Sequence, residues 1–295
     1  MILVTGSSGK TGHAVVAALA RAGAPTRALV RYPSQFEVLT NLGAREVVAA
    51  DMRFTDELRR AFTNTRAVYH ICPNVNPDEV AIGRRVLTAA REAGIEPLVL
   101  HSVLHPHTEQ MPHHWNKLRV EEALLESGLN FTVLQPTAYM QNLLAGWKLI
   151  TEAGVLRNPY PVEARLSLVD LQDVAEAAAI VLTQGGHNGA TYELVGTPPL
   201  TQTKVAEILS DALGRPVRAE AEPIPVWEAR AVAAGLSDDQ LTMLTKMFAY
   251  YARHGLTGNP NTLRWLIGRE PTALADFARR SLHMQEPLAR DQRAT

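Results

Sequence analysis

The sequence predicts an α/β fold, a doubly wound parallel sheet with a smaller, mostly helical C-terminal lobe. Three observations carry that expectation. Short apolar runs alternate with helical stretches through the first half of the chain. The first of these runs passes through a glycine-rich turn straight into a helix. The alternation then fades after about residue 150, where helical patterns take over.

Taken in order, Ile2-Leu3-Val4 is an apolar run of the kind shown by a strand buried on both faces. Gly6, Gly9 and Gly12 punctuate the turn that follows, and a helix is expected over 10–23. Further strands are expected at 26–31, 46–51, 67–71, 97–101 and 131–134, with helices at 34–42, 54–62, 77–93 and 114–127 between them. Alternation at this spacing calls for right-handed crossovers and therefore parallel strands. Residues 154–161 read as a loop leading into the lobe, and 167–170 with 174–182 as a strand followed by a helix. A turn at 185–189 precedes a short strand at 191–194. From Thr201 the chain reads as helical, interrupted by an extended stretch at 216–225. The expected domains are a sheet domain over 1–153, rejoined by 163–195, and a lobe from 154–162 and 196–290. Residues 291–295 are polar and read as a frayed tail.

With 295 residues, 46% of them hydrophobic, the chain can bury a substantial core. Twenty-nine basic against 30 acidic side chains leave a net charge of -1, so no overall field draws it to nucleic acid or to a membrane surface. A single cysteine, Cys72, excludes an internal disulfide framework and fits a reducing compartment. No signal peptide and no membrane-spanning apolar run is visible. The expectation is a soluble, cytoplasmic protein with a small-molecule substrate, compatible with a homodimer.

The glycine turn carries the most chemistry. A strand, a glycine-rich turn and a helix in that order make the dinucleotide cradle of a Rossmann-type sheet. Gly6 can take a positive φ, Gly9 has no Cβ to hold a diphosphate off the backbone, and Gly12 lets the helix close on the strand. Ser8, Lys10 and Thr11 complete the turn, and the free amides of the first helical turn face the phosphates. Gly9-Lys10-Thr11 also looks like the end of a P-loop, but that motif needs its first glycine at position 4, which is Val4.

The residue ending the second strand sits beside the adenosine ribose in this fold. An acidic residue there favours NAD, whereas arginine accommodates a 2′-phosphate. Here it is Arg31, with Arg27 on the same strand and Lys10 in the turn, so NADP(H) is expected over NAD(H). Asp51 and Met52 follow the third strand, where adenine contacts fall; Asp51 reads equally as a cap for the next helix. Cys72 and Pro73, after the fourth strand, border the cofactor site through backbone atoms.

Together these pieces resemble the NmrA-like branch of the atypical short-chain dehydrogenase/reductase superfamily. The matching segments are VTGSSGKTG, RALVRYP, VVAADMRFTDEL, the helix with Lys117 and Glu121, SGLNFTVLQPTAYMQNLL and SLVDLQDVAEAA, reaching from residue 1 to about residue 195. The resemblance implies an NAD(P)-binding Rossmann domain whose C-terminal lobe closes over the nicotinamide. It further implies either a reductase of quinones, enones or other small carbonyls, or a protein that binds dinucleotide without turning it over. It places Lys117 on the nicotinamide ribose and Pro136 against the nicotinamide. Ser102 falls near a substrate-orienting serine. Tyr139, Gln141 and Asn142, beginning the next helix, read equally as polar groups presented to the acceptor and as helix capping and lobe packing.

One departure matters. The superfamily's Tyr-x-x-x-Lys would put its tyrosine, the usual proton donor, where this chain has His113. Imidazole titrates near neutrality, so His113 is a candidate acid beside Lys117. His105, His107, His113 and His114 crowd one stretch without a Cys or carboxylate set to complete a metal site, so no metal is expected. In the lobe Met243, Met247, Tyr250, Tyr251 and His254 recur at helical spacing, with Trp227, Phe248 and Trp265 nearby. That stripe reads as core, though it would also suit a flat apolar ligand. Asp170 and Asp173 read as caps.

The leading functional expectation is an NADPH-dependent reductase of a small conjugated carbonyl, quinone or aromatic metabolite. The alternatives are a non-catalytic NADP-binding redox sensor, or a tailoring enzyme of an aromatic natural product.

Overall fold

In the computed structural model, which describes residues 1–291 and the side chains through His283, the first strand is β1 (Ile2–Val4). It is followed by α1 (Lys10–Arg21), β2 (Thr26–Val30), α2 (Phe36–Asn41), β3 (Glu46–Ala49) and α3 (Thr55–Phe62). Next come β4 (Ala67–His70), α4 (Glu79–Glu92), β5 (Leu98–His101), α5 (Pro112–Leu125) and β6 (Phe131–Pro136). A seventh strand, Ala190–Leu194, completes one parallel sheet in which it lies outside β6, followed by β5, β4, β1, β2 and β3. The strand order reverses between β1 and β4. Such a reversal opens a crevice at the carboxyl ends, where open α/β sheets bind ligands.

The strands are apolar throughout because both faces are covered. Along β1, Ile2 and Val4 pack with Val15, Val16 and Leu19 of α1 and with helix Leu171–Thr183. Leu3 points the other way, toward Leu58 and Phe62 of α3 and Val86 of α4. Alternate residues thus enter two separate cores, which suppresses a polar–apolar alternation.

The lobe differs from expectation in its details. Val155–Asn158, expected as a loop, is a strand paired in parallel with Arg218–Ala221, the extended stretch within 216–225. Each supplies the hydrogen bonds the other needs. The segment after β6 is a two-residue strand, Ala138–Tyr139, paired with Leu168–Val169, then a 3-10 turn (Met140–Gly146) and a helix (Trp147–Ala153). Tyr139 therefore does not begin a helix. The pairing with Leu168 and Val169, 30 residues later, holds it extended, and sequence-local pattern carries no sign of that.

Met140, Trp147 and Ile150, within the expected sheet domain, are buried in the lobe core with Val205, Leu209 and Phe277. Conversely Leu263 and Ile267, on helix Asn261–Ile267, join the core of the sheet. The two units are interlaced by these exchanges. The last helix, Leu274–Asp291, carries the backbone through residue 291, and 292–295 of the expected tail lie outside the described residues.

Candidate functional site

At the carboxyl ends of β1 and β4 the glycine turn divides its work. Gly6 has φ +58°, and a Cβ there would lie 2.8 Å from the Ile71 carbonyl oxygen. At Gly12 a Cβ would meet Gly6 O and Ser7 Cα at 2.5 Å, so this position sets how closely α1 approaches β1. Gly9 is different: a Cβ would find only Gly6 O, at 3.6 Å. Its outer face is open, and no side chain caps the N-terminus of α1 behind it. An open glycine in front of uncapped helix amides fits a diphosphate. Ser8 is half-buried, and Ser7 beneath it donates to Val4 O at 2.6 Å, bracing the turn.

At the β2–β3 edge, Arg31 is half exposed and lies 3.4 Å from Asp51. Arg53 grips the same carboxylate at 2.7 Å and also donates its backbone N–H to it. The Arg53 hydrogen bond, ahead of the other causes, holds the Asp51 carboxyl down at about 2. Asp51 thus closes a local turn on Arg53 and does not cap α3, whose N-cap is Phe54. Arg53 was not singled out from sequence, although an arginine two residues beyond the expected adenine contact was the available signal. Arg27 sits away from this edge: it bonds Glu46 and the carbonyls of Ala61 and Thr63. Met52 is buried in the core with Phe62 and Cys72.

Between β4, β5 and α5 lies a pocket too narrow to admit water, lined by His70, Cys72, Glu79, His101, Ser102 and Lys117. Lys117 Nζ bonds Glu79 Oε1 at 2.6 Å and approaches His101 O at 3.5 Å. Burial pulls the Lys117 pKa down, but the Glu79 carboxylate outweighs it and the net shift is upward. His113 lies in the first turn of α5, its Nδ1 3.7 Å from Glu79 Oε2, and neither atom has a hydrogen-bond partner among the described residues. Burial, reinforced by Lys117, pushes the His113 pKa well below its usual value, so the ring is neutral at neutral pH. Ser102 is buried and donates to Glu121, which also accepts from Gln135 at 3.0 Å. Its hydroxyl is thereby turned toward α5. Cys72 is buried and its thiol is pushed up, out of the thiolate range, first by burial.

On the other side of the crevice, Asn142 Oδ1 accepts from Lys10 Nζ at 2.7 Å, tying the segment after β6 to the glycine turn. Gln141 is committed to the N-terminus of helix Leu171–Thr183: it donates to Asp170 at 2.8 Å and accepts from Leu171 N at 3.1 Å. Asp170 is the N-cap of that helix, as read from sequence. Asp173 instead binds Arg269 and Thr272, a long-range tie to the lobe. Tyr139 bonds His101 Nε2 at 2.7 Å, and His101 Nδ1 bonds the Tyr69 hydroxyl at 2.7 Å. Neither Tyr69 nor His101 was found by sequence reading; both look like ordinary strand residues. Pro136 ends β6, and its carbonyl accepts from Leu104 N at 2.9 Å.

In the lobe, Trp227 packs on Phe248 edge to face at 4.8 Å, and Tyr251 is buried with Leu104, Met111 and Leu166. Met243, Met247 and Tyr250 are half-buried and His254 is exposed. Trp265 stands 75% exposed on another helix, apart from this cluster. Among the described residues no group of three or more His, Cys, Asp or Glu side chains is placed to hold a metal ion, and no helix is long and apolar enough to cross a membrane.

The model of the NmrA-like family matches residues 1–281. The chain belongs to the NmrA-like family. Among family relatives, the NAD(P)H azoreductase of Xenophilus azovorans is 31% identical over 284 residues, spanning 95% of this chain and 97% of that protein. Quinone oxidoreductase 2 of Escherichia coli is 28% identical over 94% of this chain and 96% of its own. The crystal structure of the Escherichia coli NADPH-dependent quinone oxidoreductase complexed with NADPH superposes with a TM-score of 0.83, covering 96% of this chain and 100% of that one. The NmrA transcriptional regulator in complex with NAD shares the fold at 18% identity and a TM-score of 0.80, covering 98% of this chain and 97% of that one.

Proposed function

We propose that this NmrA-like protein is an NADPH-dependent reductase of a small conjugated acceptor, a quinone, an enone or a related aromatic compound. The observation that carries the reading is the pairing of an open Gly9 and uncapped α1 N-terminus with two arginines at the β2–β3 edge. The first suits a diphosphate, and the second suits a 2′-phosphate, since guanidinium offers planar, forked donors. The azoreductase and quinone oxidoreductase relatives support the reaction class.

A bound reduced nicotinamide coenzyme supplies hydride. The chain's own contribution is positional. Gly6, Ser8, Gly9, Lys10, Thr11 and Gly12 seat the diphosphate; Arg31 and Arg53 hold the adenosine end, with Asp51 and Met52 flanking. Cys72, Pro73 and Pro136 border the nicotinamide end through backbone and ring surfaces. Lys117 reaches the ribose by exchanging its Glu79 partner. Asn142 and Tyr139 face the acceptor. Holding the reacting carbons together supplies much of the acceleration for a conjugated acceptor.

The test is to measure NADPH and NADH binding by calorimetry and then follow NADPH oxidation with a panel of quinones and enones. Tighter binding of NADPH and turnover with at least one acceptor are expected. Tight binding with no turnover across the panel would replace this reading with a dinucleotide sensor.

A further inference from the structure

We propose that Tyr139 is the proton donor to the acceptor oxygen, and that Tyr69 and His101 hold its hydroxyl in the donating orientation. This rests on the reductase reading above.

Three side chains from separate elements make one continuous chain. Tyr69 is on β4, His101 ends β5, and Tyr139 lies in the short strand after β6. Tyr69 is fully buried, and its hydroxyl has His101 Nδ1, at 2.7 Å, as its one hydrogen-bond partner among the described residues. A buried hydroxyl whose hydrogen finds no acceptor is costly, so Tyr69 must donate to Nδ1. A neutral imidazole carries one N–H. With Nδ1 accepting, the hydrogen sits on Nε2, which donates to the Tyr139 oxygen at 2.7 Å. The opposite tautomer would point Nδ1–H at Tyr69 and leave the Tyr69 hydrogen with no acceptor. Burial favours the neutral ring, pushing the His101 pKa down to about 3, with Lys117 and His70 adding to the effect.

The consequence falls on Tyr139. Its oxygen already accepts from His101, so its own hydrogen is free to turn toward the crevice. Lys10 Nζ stands 5.6 Å from the ring centroid, and burial pushes the Tyr139 hydroxyl pKa up, so it carries its proton at neutral pH. When hydride from the reduced coenzyme adds to an enone, the electron pair moves to the acceptor oxygen. The Tyr139 O–H bond then breaks and its proton passes to that oxygen. The pair left on the phenolate is held by His101 Nε2–H, with the Lys10 ammonium close by. Water restores the proton from the exposed Lys10 side. The donor that Tyr-x-x-x-Lys supplies elsewhere thus comes from a different element, beside a different lysine.

Two measurements test this. With histidine labelled in nitrogen-15, NMR of the coenzyme-free protein should show His101 as the Nε2–H tautomer, and Tyr69→Phe should shift it toward Nδ1–H. An Nδ1–H ring in the wild type overturns the proposal. The second measurement compares NADPH-driven reduction of an enone, which consumes a proton, with that of a triarylmethyl carbocation, which needs hydride alone. Tyr139→Phe should lower the enone-to-carbocation kcat ratio by about 10²–10⁴-fold, the usual worth of a general acid. His101→Gln, which keeps an N–H toward Tyr139, should retain more of that ratio than His101→Leu. Equal losses on both acceptors, or no loss on either, overturn the proposal. The enone is one that the wild type reduces in the panel above; if the wild type binds NADPH but reduces no member of that panel, the reductase reading falls and takes this one with it, a case recognised by the inactive wild type.

Discussion

Arg31 and Arg53 share one carboxylate, that of Asp51, and so set the charge of the β2–β3 edge. Asp51 alone would repel a 2′-phosphate, but Arg31 and Arg53 both reach it and leave a net positive edge. Replacing either arginine with alanine should weaken NADPH binding relative to NADH by roughly tenfold or more, because a charge-assisted hydrogen bond is worth about 1.5–3 kcal/mol. Calorimetry with both coenzymes checks this; equal weakening of the two would move the arginines off the ribose. In Arg53→Ala the Asp51 pKa should climb from about 2 toward its ordinary value, as NMR titration of the carboxyl would show. Because that pKa is depressed in the folded state, its stabilisation is present above the unfolded value and is lost as pH falls toward 2. Deeper in the site, Glu79 is the sole charged partner within 4 Å of Lys117 among the described residues. Glu79→Ala would strand a buried ammonium and should cost about 3–5 kcal/mol in denaturant unfolding. A loss below about 1 kcal/mol, typical of exposed pairs, would mean the lysine escapes to solvent.

Among elements, the strand–turn–helix unit holds two glycines with opposite surroundings, Gly12 crowded by backbone and Gly9 open. Gly12→Ala drives a Cβ into Gly6 O and Ser7 Cα at 2.5 Å, both backbone atoms that cannot swing aside. It should destabilise the protein by about 1–3 kcal/mol or more, the usual cost of overpacking, with α1 levered off β1. Gly9→Ala meets nothing closer than 3.6 Å. Its stability should stay within about 1 kcal/mol of the wild type while NADPH affinity falls, since only an N-cap preference is lost from the fold. Thermal melts with and without NADPH distinguish the two, and parallel behaviour would show that Gly9 does not face the ligand. This unit was legible in the sequence because its parts are contiguous and glycine spacing reports backbone geometry directly. The segment after β6 was not: Tyr139 is held extended by Leu168 and Val169, and no local pattern encodes a two-residue pairing at that distance.

For the whole molecule, burial of histidines ties stability to pH. His70 and His101 are depressed to about 3 and His114 to about 4, each first by desolvation. Unfolded histidine binds its proton near pH 6.5, so between that value and about 3 the unfolded chain holds more protons than the folded one. Stability is therefore full above pH 6.5 and declines as pH falls. Each fully mismatched ring contributes a slope of about 1.4 kcal/mol per pH unit. Urea unfolding at pH 7 and pH 5 should show the lower value at pH 5, with a shallower decline in His70→Gln. A flat profile would mean these rings are protonated in the folded state.

By itself the sequence determined the parallel sheet, the glycine turn between β1 and α1 and the place of Arg31 after β2, because strand burial, glycine spacing and strand-end position are local signals. Only the tertiary structure decided which side chains meet within the crevice. Lys117 finds Glu79, and Tyr139 finds His101, each 38 residues away, while His101 finds Tyr69 at a distance of 32. Those partners sit toward the carboxyl ends of β4 and β5, in the short strand after β6, or on α4 and α5, which cross between the strands. Parallel pairing needs a long crossover, so it brings together residues that are remote in the chain.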